Sequence, residues 1–93
     1  MTLKSIIVED EETSRQILRN YLNTYCPNVE VVGEAANVEE ALVLIRNTTL
    51  DVVFLDVEMP YGNAFDLLDK VGDVTFETIF VTAYNTYAVD ALN

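Results

Sequence analysis

The sequence predicts an α/β fold in which parallel strands form a doubly wound sheet, in the order 2-1-3-4. Three observations predict it. Short apolar runs alternate along the chain with segments whose apolar residues recur at the period of a helix. The connections between them are short, which is typical of strand–helix–strand units. The first and third runs are the most apolar, and we expect them to be the central strands.

Four segments have the composition of strands. Ser5–Val8 is wholly apolar after its serine and stops at an acidic run, and Val52–Leu55 is apolar throughout and leads directly into Asp56. Residues 29–35 alternate only partly, which favours an exposed position at the edge of the sheet. Thr78–Val81 is the fourth predicted strand. All four should run parallel, because a helical segment separates each from the next.

Helical periodicity predicts four helices, one after each strand. The first stops at Cys26-Pro27, since proline disfavours a helical residue before it. Asn37 is a candidate N-cap of the second, with Glu40 at the capping-box position. The predicted apolar faces are Leu18, Tyr21, Leu22 and Tyr25; Val38, Ala41, Leu42 and Ile45; Ala64, Leu67, Leu68 and Val71; and Tyr84, Tyr87, Ala88, Ala91 and Leu92.

Composition excludes several classes of function. The 93 residues are 51% apolar, enough for one domain over residues 1–93, and 5 basic against 16 acidic residues give a net charge of −11. This charge argues against binding nucleic acid or an anionic membrane through a basic surface. The absence of histidine excludes a phosphohistidine donor and a histidine-ligated zinc site. The single cysteine, Cys26, and the lack of any long apolar run favour a cytoplasmic protein without a membrane span.

Acidic side chains are expected to meet at the carboxyl end of the sheet. Glu9 and Asp10 follow the first strand and Asp56 follows the third, and ligands of such sheets bind at strand ends where the strand order reverses. Uncompensated, the cluster would repel itself and raise some of its pKa values. A hard cation with oxygen ligands, such as Mg²⁺, relieves that repulsion. Thr82, at the end of the fourth strand, adds a hydroxyl able to hydrogen-bond a phosphate oxygen.

A purely structural interpretation of these acids is also open, because strand ends meet water and helix N-termini, where carboxylates are favourable. We prefer it for Glu11 and Glu12, at the start of the first helix. We prefer the functional interpretation for Asp10, Asp56 and Thr82. Three strands out of four deliver a metal- or phosphate-competent group to one edge.

With these motifs in place, the whole chain resembles the receiver domains of two-component response regulators, which have a flavodoxin-like (CheY-like) fold. A further stretch, Val81-Thr82-Ala83-Tyr84-Asn85 with Tyr87-Ala88-Val89, looks like the subfamily whose receivers precede LytTR DNA-binding domains. The motifs that carry the family resemblance are Ile6-Ile7-Val8-Glu9-Asp10-Glu11, Val53-Phe54-Leu55-Asp56-Val57-Glu58-Met59-Pro60 and Phe80-Val81-Thr82-Ala83-Tyr84.

The resemblance implies a role for each site residue. Asp56 would accept a phosphoryl group from a sensor histidine kinase, and Thr82 would be the switch hydroxyl that moves toward it. Asp10 would bind Mg²⁺ directly, and Glu9 would bind it directly or through water. The backbone carbonyl of Glu58 would be a further metal ligand. Such a domain is phosphorylated on its own aspartate and is not a turnover enzyme on external substrates.

Two features depart from the family pattern. Ala64 begins the third helix where receivers usually carry glycine, although Gly62 and Asn63 just before it tolerate positive φ. The chain ends at Asn93, before the family's fifth strand, its phosphate-contacting lysine, its switch aromatic and its fifth helix. We therefore expect an incomplete receiver with weakened or lost phosphorylation. Its open fourth strand would pair with a second copy as a homodimer or swapped assembly, and any DNA binding would belong to a missing downstream domain.

Three other functions remain open at this point. One is a receiver-like interaction module that is never phosphorylated. Another is a phosphatase, because Asp56-Val57-Glu58 faintly resembles the Asp-x-Asp motif of haloacid-dehalogenase-like enzymes, although that motif has aspartate at its last position and normally follows the first strand. The third is a flavin- or nucleotide-binding relative, which the acidic, glycine-free turn at residues 9–13 opposes.

Overall fold

The structure, a computed structural model, describes residues 1–57 and 64–81. Within these ranges four parallel strands form one sheet in the order β2-β1-β3-β4, which confirms the predicted fold. The predicted fourth helix and residues 58–63, which form the loop before the third helix, lie outside the described residues. The elements are β1 (Leu3–Val8), α1 (Glu12–Tyr25), β2 (Val29–Ala35), α2 (Val38–Asn47), β3 (Val52–Asp56), α3 (Ala64–Val71) and β4 (Glu77–Val81).

Helices cover both faces of the sheet, because alternate residues of the buried strands point in opposite directions. Ile6, Val8 and Leu55 face the side that α2 and α3 cover, where Leu67 is fully buried. Ile7, Val52 and Phe54 face α1 instead. All five residues of β3 are buried, as expected of the central strand that the sequence predicts.

The inward face of α1 differs from the predicted one. Leu22 is buried as expected, but Tyr21 and Tyr25 are 57% and 69% exposed and lie against each other, with ring centroids 4.9 Å apart. Leu18 is partly buried, as predicted, and the other partly buried positions are Ser14, Arg15 and Arg19. The period of the apolar residues alone predicted this face incorrectly at Tyr21 and Tyr25, because two arginines lie on the inward face.

The start of α2 follows the predicted capping pattern with one difference. The Asn37 side chain accepts a hydrogen bond from the Glu40 amide at 2.9 Å, as an N-cap should. The Glu40 carboxylate reaches one residue further back than in a standard capping box and accepts from the Ala36 amide at 2.8 Å. Both contacts satisfy amides that would otherwise lack partners beside the helix start.

A register shift divides β2 into two halves. Ser5 pairs with Val31 but the next residue, Ile6, pairs with Gly33, so Val32 is an extra residue in β2. One extra residue moves every following side chain to the opposite face. Glu34 therefore points toward α1 and Ala35 into the core beneath α2. Gly33 sits where a Cβ would lie 3.2 Å from both Leu44 methyl carbons, so close packing of α2 favours glycine there.

Among the described strands β4 lies at one edge of the sheet, and Ile79 and Phe80 on it are each 46% exposed. Cys26, at the C-terminal cap of α1, packs against the smaller apolar cluster. No helix within residues 1–57 and 64–81 is long and apolar enough to cross a membrane.

Candidate functional site

Backbone hydrogen bonds fix the two strand ends that carry the predicted site. The Glu9 amide donates to the Ala35 carbonyl at 2.9 Å, which extends the β1–β2 ladder by one residue. On the other side, Asp56 pairs with Val81 of β4, and the Val57 amide donates to the Val81 carbonyl at 3.4 Å. The ends of β1 and β3 are thus anchored to β2 and β4, so the acidic residues there have a defined backbone position.

The structure brings together three of the predicted site residues. One carboxylate oxygen from each of Glu9, Asp10 and Asp56 can be chosen so that all three lie within 4.8 Å of one another. Glu9 and Asp56 are only 5% and 7% exposed, whereas Asp10 is open to solvent. The Asp10 amide donates to Oε2 of Glu9 at 3.0 Å and holds that side chain over the strand end. The cluster therefore has two buried acids and one that faces water.

Crowding changes the acidity of Glu9. Burial, followed by a hydrogen bond and charge repulsion from Asp56 and then by Asp10, raises the pKa of Glu9 from 4.5 to about 8. At neutral pH this side chain therefore keeps its proton, because its anion would lie buried beside other carboxylates. A ligand that supplied positive charge at the cluster would favour loss of that proton.

The basic residues of the chain do not supply that charge to Glu9 or Asp10 through an ion pair. All five are within the described ranges, where the ion pairs join Arg15 and Arg19 to Glu34 and, at 4.0 Å on the surface, Lys70 to Glu39. Three clustered carboxylates without an ion-paired cation at Glu9 or Asp10 are a donor set of oxygens, which hard divalent cations prefer. The donor atoms and their burial fit Mg²⁺.

Two predicted site residues, Glu58 and Thr82, lie outside the described residues, so their roles stay predictions. A charged network beside the cluster was not predicted from the sequence. Nη1 of Arg15 donates to the backbone carbonyls of Glu9, at 2.8 Å, and Asp10, at 3.3 Å. The signals that could have indicated it are two arginines four residues apart in α1 and a glutamate in an otherwise apolar part of β2.

The chain is similar to known proteins along nearly its whole length. A family model described as the response regulator receiver domain matches residues 6–93. A response regulatory protein of Yersinia pestis is 40% identical over 90 residues, which are 96% of this chain and 37% of that protein. The sensory transduction protein LytR of Staphylococcus haemolyticus is 36% identical over 91 residues, covering 96% of this chain and 35% of that protein. The chain thus spans little more than a third of the length of these relatives.

Solved structures have the same fold. The response regulator TrrA of Thermotoga maritima, in complex with Mg²⁺ and BeF, has a TM-score of 0.76 and is 29% identical, over 97% of this chain and 76% of that one. Together with the relatives named LytR, this likeness confirms the family that the three sequence motifs indicate.

Proposed function

This chain belongs to the family of response regulator receiver domains, and on that premise we propose that Asp56 accepts a phosphoryl group and holds it as a signal. The observation that carries the proposal is the cluster of Glu9, Asp10 and Asp56 at the reversal point of the sheet. Asp56 lies at its buried side, on the most buried strand, with its backbone held by β4. A nucleophile needs such a fixed position, since phosphoryl transfer depends mainly on positioning and charge stabilisation.

The proposed reaction is a substitution at phosphorus. A carboxylate oxygen of Asp56 forms a bond to the phosphorus as the bond between phosphorus and the donor's imidazole nitrogen breaks, and the imidazole leaves with that electron pair. The product is an aspartyl phosphate, and one phosphoryl group is taken per chain. This stoichiometry agrees with a signalling domain and not with a turnover enzyme.

Glu9, Asp10 and Asp56 are the described residues proposed to hold Mg²⁺, with the Glu58 carbonyl as the further ligand that the family resemblance implies. When bound, Mg²⁺ offsets the negative charge that collects on the transferring oxygens. The raised pKa of Glu9 supports this assignment, because it reflects burial and the repulsion of neighbouring carboxylates, both of which a bound cation would offset. Asp10, being exposed, is the acid through which solvent and a cation reach the two buried ones.

The aspartyl phosphate would act through its charge and its acceptor oxygens, which attract a hydroxyl such as that of Thr82 and reorder its loop. The proposed donor is a sensor histidine kinase, and the proposed location is the cytoplasm. Output functions of the whole protein, DNA binding among them, are proposed to lie outside these 93 residues. The phosphate-independent interaction module is not favoured by the relatives, whose names are those of response regulators.

The test is to incubate the chain with Mg²⁺ and acetyl phosphate and to look by intact mass for one added phosphoryl group. At high phosphodonor concentration we expect the adduct on the wild type, to the reduced extent expected of an incomplete receiver, and none on Asp56→Asn. Asp51→Asn is the matched control, because it changes the exposed aspartate at the opposite end of the same strand. An adduct that persists on Asp56→Asn, or is absent from the wild type at high phosphodonor, contradicts the proposal.

Pairing of β4 with a second copy stays a prediction. Its support is the edge position of β4 among the described strands and the exposure of Ile79 and Phe80. Light scattering coupled to size exclusion measures the outcome, and a monomer at all concentrations would contradict it.

A further inference from the structure

We infer that Arg15 is a positioning residue of the acidic site: anchored to β2 through Glu34, it holds the carbonyls of Glu9 and Asp10 and so fixes the direction of their carboxylates. The inference rests on the proposed function, in which these carboxylates bind a divalent cation. It adds a residue of α1 and one of β2 to the machinery of the site.

The guanidinium of Arg15 binds the backbone of the acidic segment, Glu9-Asp10. Its Nη1 lies 2.8 Å from the Glu9 carbonyl oxygen and 3.3 Å from that of Asp10, so one nitrogen contacts the backbone of two of the three residues whose side chains form the cluster. The two residues are also hydrogen-bonded to each other, since the Asp10 amide donates to Oε2 of Glu9. A shift of either carbonyl would therefore move both carboxylates together.

The arginine is itself held in place. Its Nε lies 3.1 Å from Oε1 of Glu34, while Arg19 binds the other oxygen, with Nε 2.7 Å and Nη2 2.6 Å away. The Arg15 side chain is 17% exposed and that of Glu34 is 28%, so solvent screens the pair less than it screens a surface pair. Glu34 thus receives both arginines of α1 and fixes the orientation of the first.

Only a guanidinium matches this geometry. Arg15 uses Nε for the carboxylate and Nη1 for the two carbonyls, and the planar group sets the angle between these donors. A lysine at the same position keeps the charge but concentrates its donors at one atom. The Arg15→Lys variant therefore separates position from charge.

The register shift in β2 makes the contact possible. If Val32 paired with Ile6 and β2 continued without the shift, Glu34 would keep the alternation set by Val29 and Val31 and would point toward α2 instead of α1. The register shift thus turns a carboxylate toward the two arginines at the point where β2 ends beside the acidic segment.

A positioning role and a purely electrostatic role of Arg15 predict opposite changes in cation affinity when the side chain is removed. If Arg15 acted only as a nearby positive charge, its removal would strengthen cation binding, because repulsion of the cation would fall. If it positions the acids, its removal weakens binding although the site becomes more negative. Residues that orient metal ligands typically contribute tenfold or more to affinity.

The experiment measures Mn²⁺ binding by the fall in the electron paramagnetic resonance signal of the free ion, on the whole chain at fixed pH and salt. The variants are Arg15→Lys, Arg15→Gln and Glu34→Gln, with Glu39→Gln as the control for loss of one carboxylate from an exposed ion pair that is not part of the cluster. Circular dichroism selects a temperature at which every variant is folded. Glu34→Gln keeps Arg15 and serves if a change at position 15 unfolds the chain.

We expect both Arg15 variants and Glu34→Gln to weaken Mn²⁺ binding about tenfold, and Glu39→Gln to bind as the wild type does. The double variant Arg15→Lys/Glu34→Gln should lose little more than either single one, since the two act through one contact. Wild-type affinity in Arg15→Lys, or tighter binding in Arg15→Gln, overturns the positioning role while the proposed function stands. A wild type that binds no Mn²⁺ overturns both.

Discussion

Two aspartates bracket β3, and their surroundings differ in almost every respect. Asp51, before the strand, is exposed, and its Oδ2 accepts from the Lys4 amide at 2.9 Å. Its backbone amide donates to the Lys4 carbonyl and its carbonyl accepts from Glu77, so it ties the amino ends of three strands. Asp56, at the other end, is buried among acids. The same residue type thus stabilises one end of the strand and stores charge repulsion at the other, which is typical of a functional site.

The largest difference should appear in phosphoryl transfer. Asp56→Asn is expected to abolish the acetyl phosphate adduct, because an amide oxygen is a far weaker nucleophile than a carboxylate. Asp51→Asn keeps an acceptor for the Lys4 amide and should be modified as the wild type is. Equal loss in both variants, measured by intact mass, would mean that the two ends of β3 do not differ as we describe.

The next largest effect is expected in the pH dependence of the free energy of unfolding, measured with a chelator present. Folding raises the pKa of Glu9 from 4.5 to about 8, so the native state binds one proton more than the unfolded state between these values. Stability should therefore be greatest below pH about 4.5 as far as this group is concerned, and should fall as the pH rises toward about 8. The slope is at most about 1.4 kcal/mol per pH unit.

Glu9→Gln is the matched variant for that dependence. It keeps a polar group of similar size but cannot ionise, so its free energy of unfolding should exceed that of the wild type by a few kcal/mol at pH about 8, with about 5 kcal/mol as the upper limit. Urea titrations at several pH values measure the difference. A wild-type curve parallel to that of Glu9→Gln would contradict the shifted pKa.

Addition of Mg²⁺ should reverse part of that loss. A ligand that binds the folded chain stabilises it by about 1.4 kcal/mol for each tenfold excess over its dissociation constant. At pH about 8 we therefore expect the Tm of the wild type to rise with Mg²⁺ concentration. Asp51→Ala should show the same rise, whereas Asp10→Asn should show less of it. Equal rises in all three would place the cation elsewhere.

The smallest effect is expected at the amino end of the strand. Asp51→Ala removes one hydrogen-bond acceptor at a solvent-exposed position, where the Lys4 amide can donate to water instead. The cost should be about 1 kcal/mol in free energy of unfolding and independent of Mg²⁺. A Mg²⁺-dependent cost at Asp51 would erase the distinction between the two ends.

The sequence was sufficient for the sheet order and for the convergence of Glu9, Asp10 and Asp56. Both follow from a general property of parallel sheets, in which strand ends share one edge. The apolar period of α3 and the cap at Asn37 were likewise visible, because each depends on residues a few positions apart. Local signals were enough for these features.

The inward face of α1 could not be read in the same way. Counting apolar residues favoured Tyr21 and Tyr25, but the helix turns Arg15 and Arg19 inward, where Glu34 accepts them. That choice depends on a residue of β2 and on the register shift before it, neither of which the periodicity of α1 contains. The inward orientation of a charged side chain is predictable only when the position of its partner is also known.

The register shift at Val32 has a consequence for the design of chimeric receivers. A grafted second strand that matches β2 in length and hydropathy but pairs without the shift would turn its glutamate toward α2 and the apolar layer beneath it. Compatibility between grafted segments is therefore a question of phase along the strand. Sequence similarity alone does not report it.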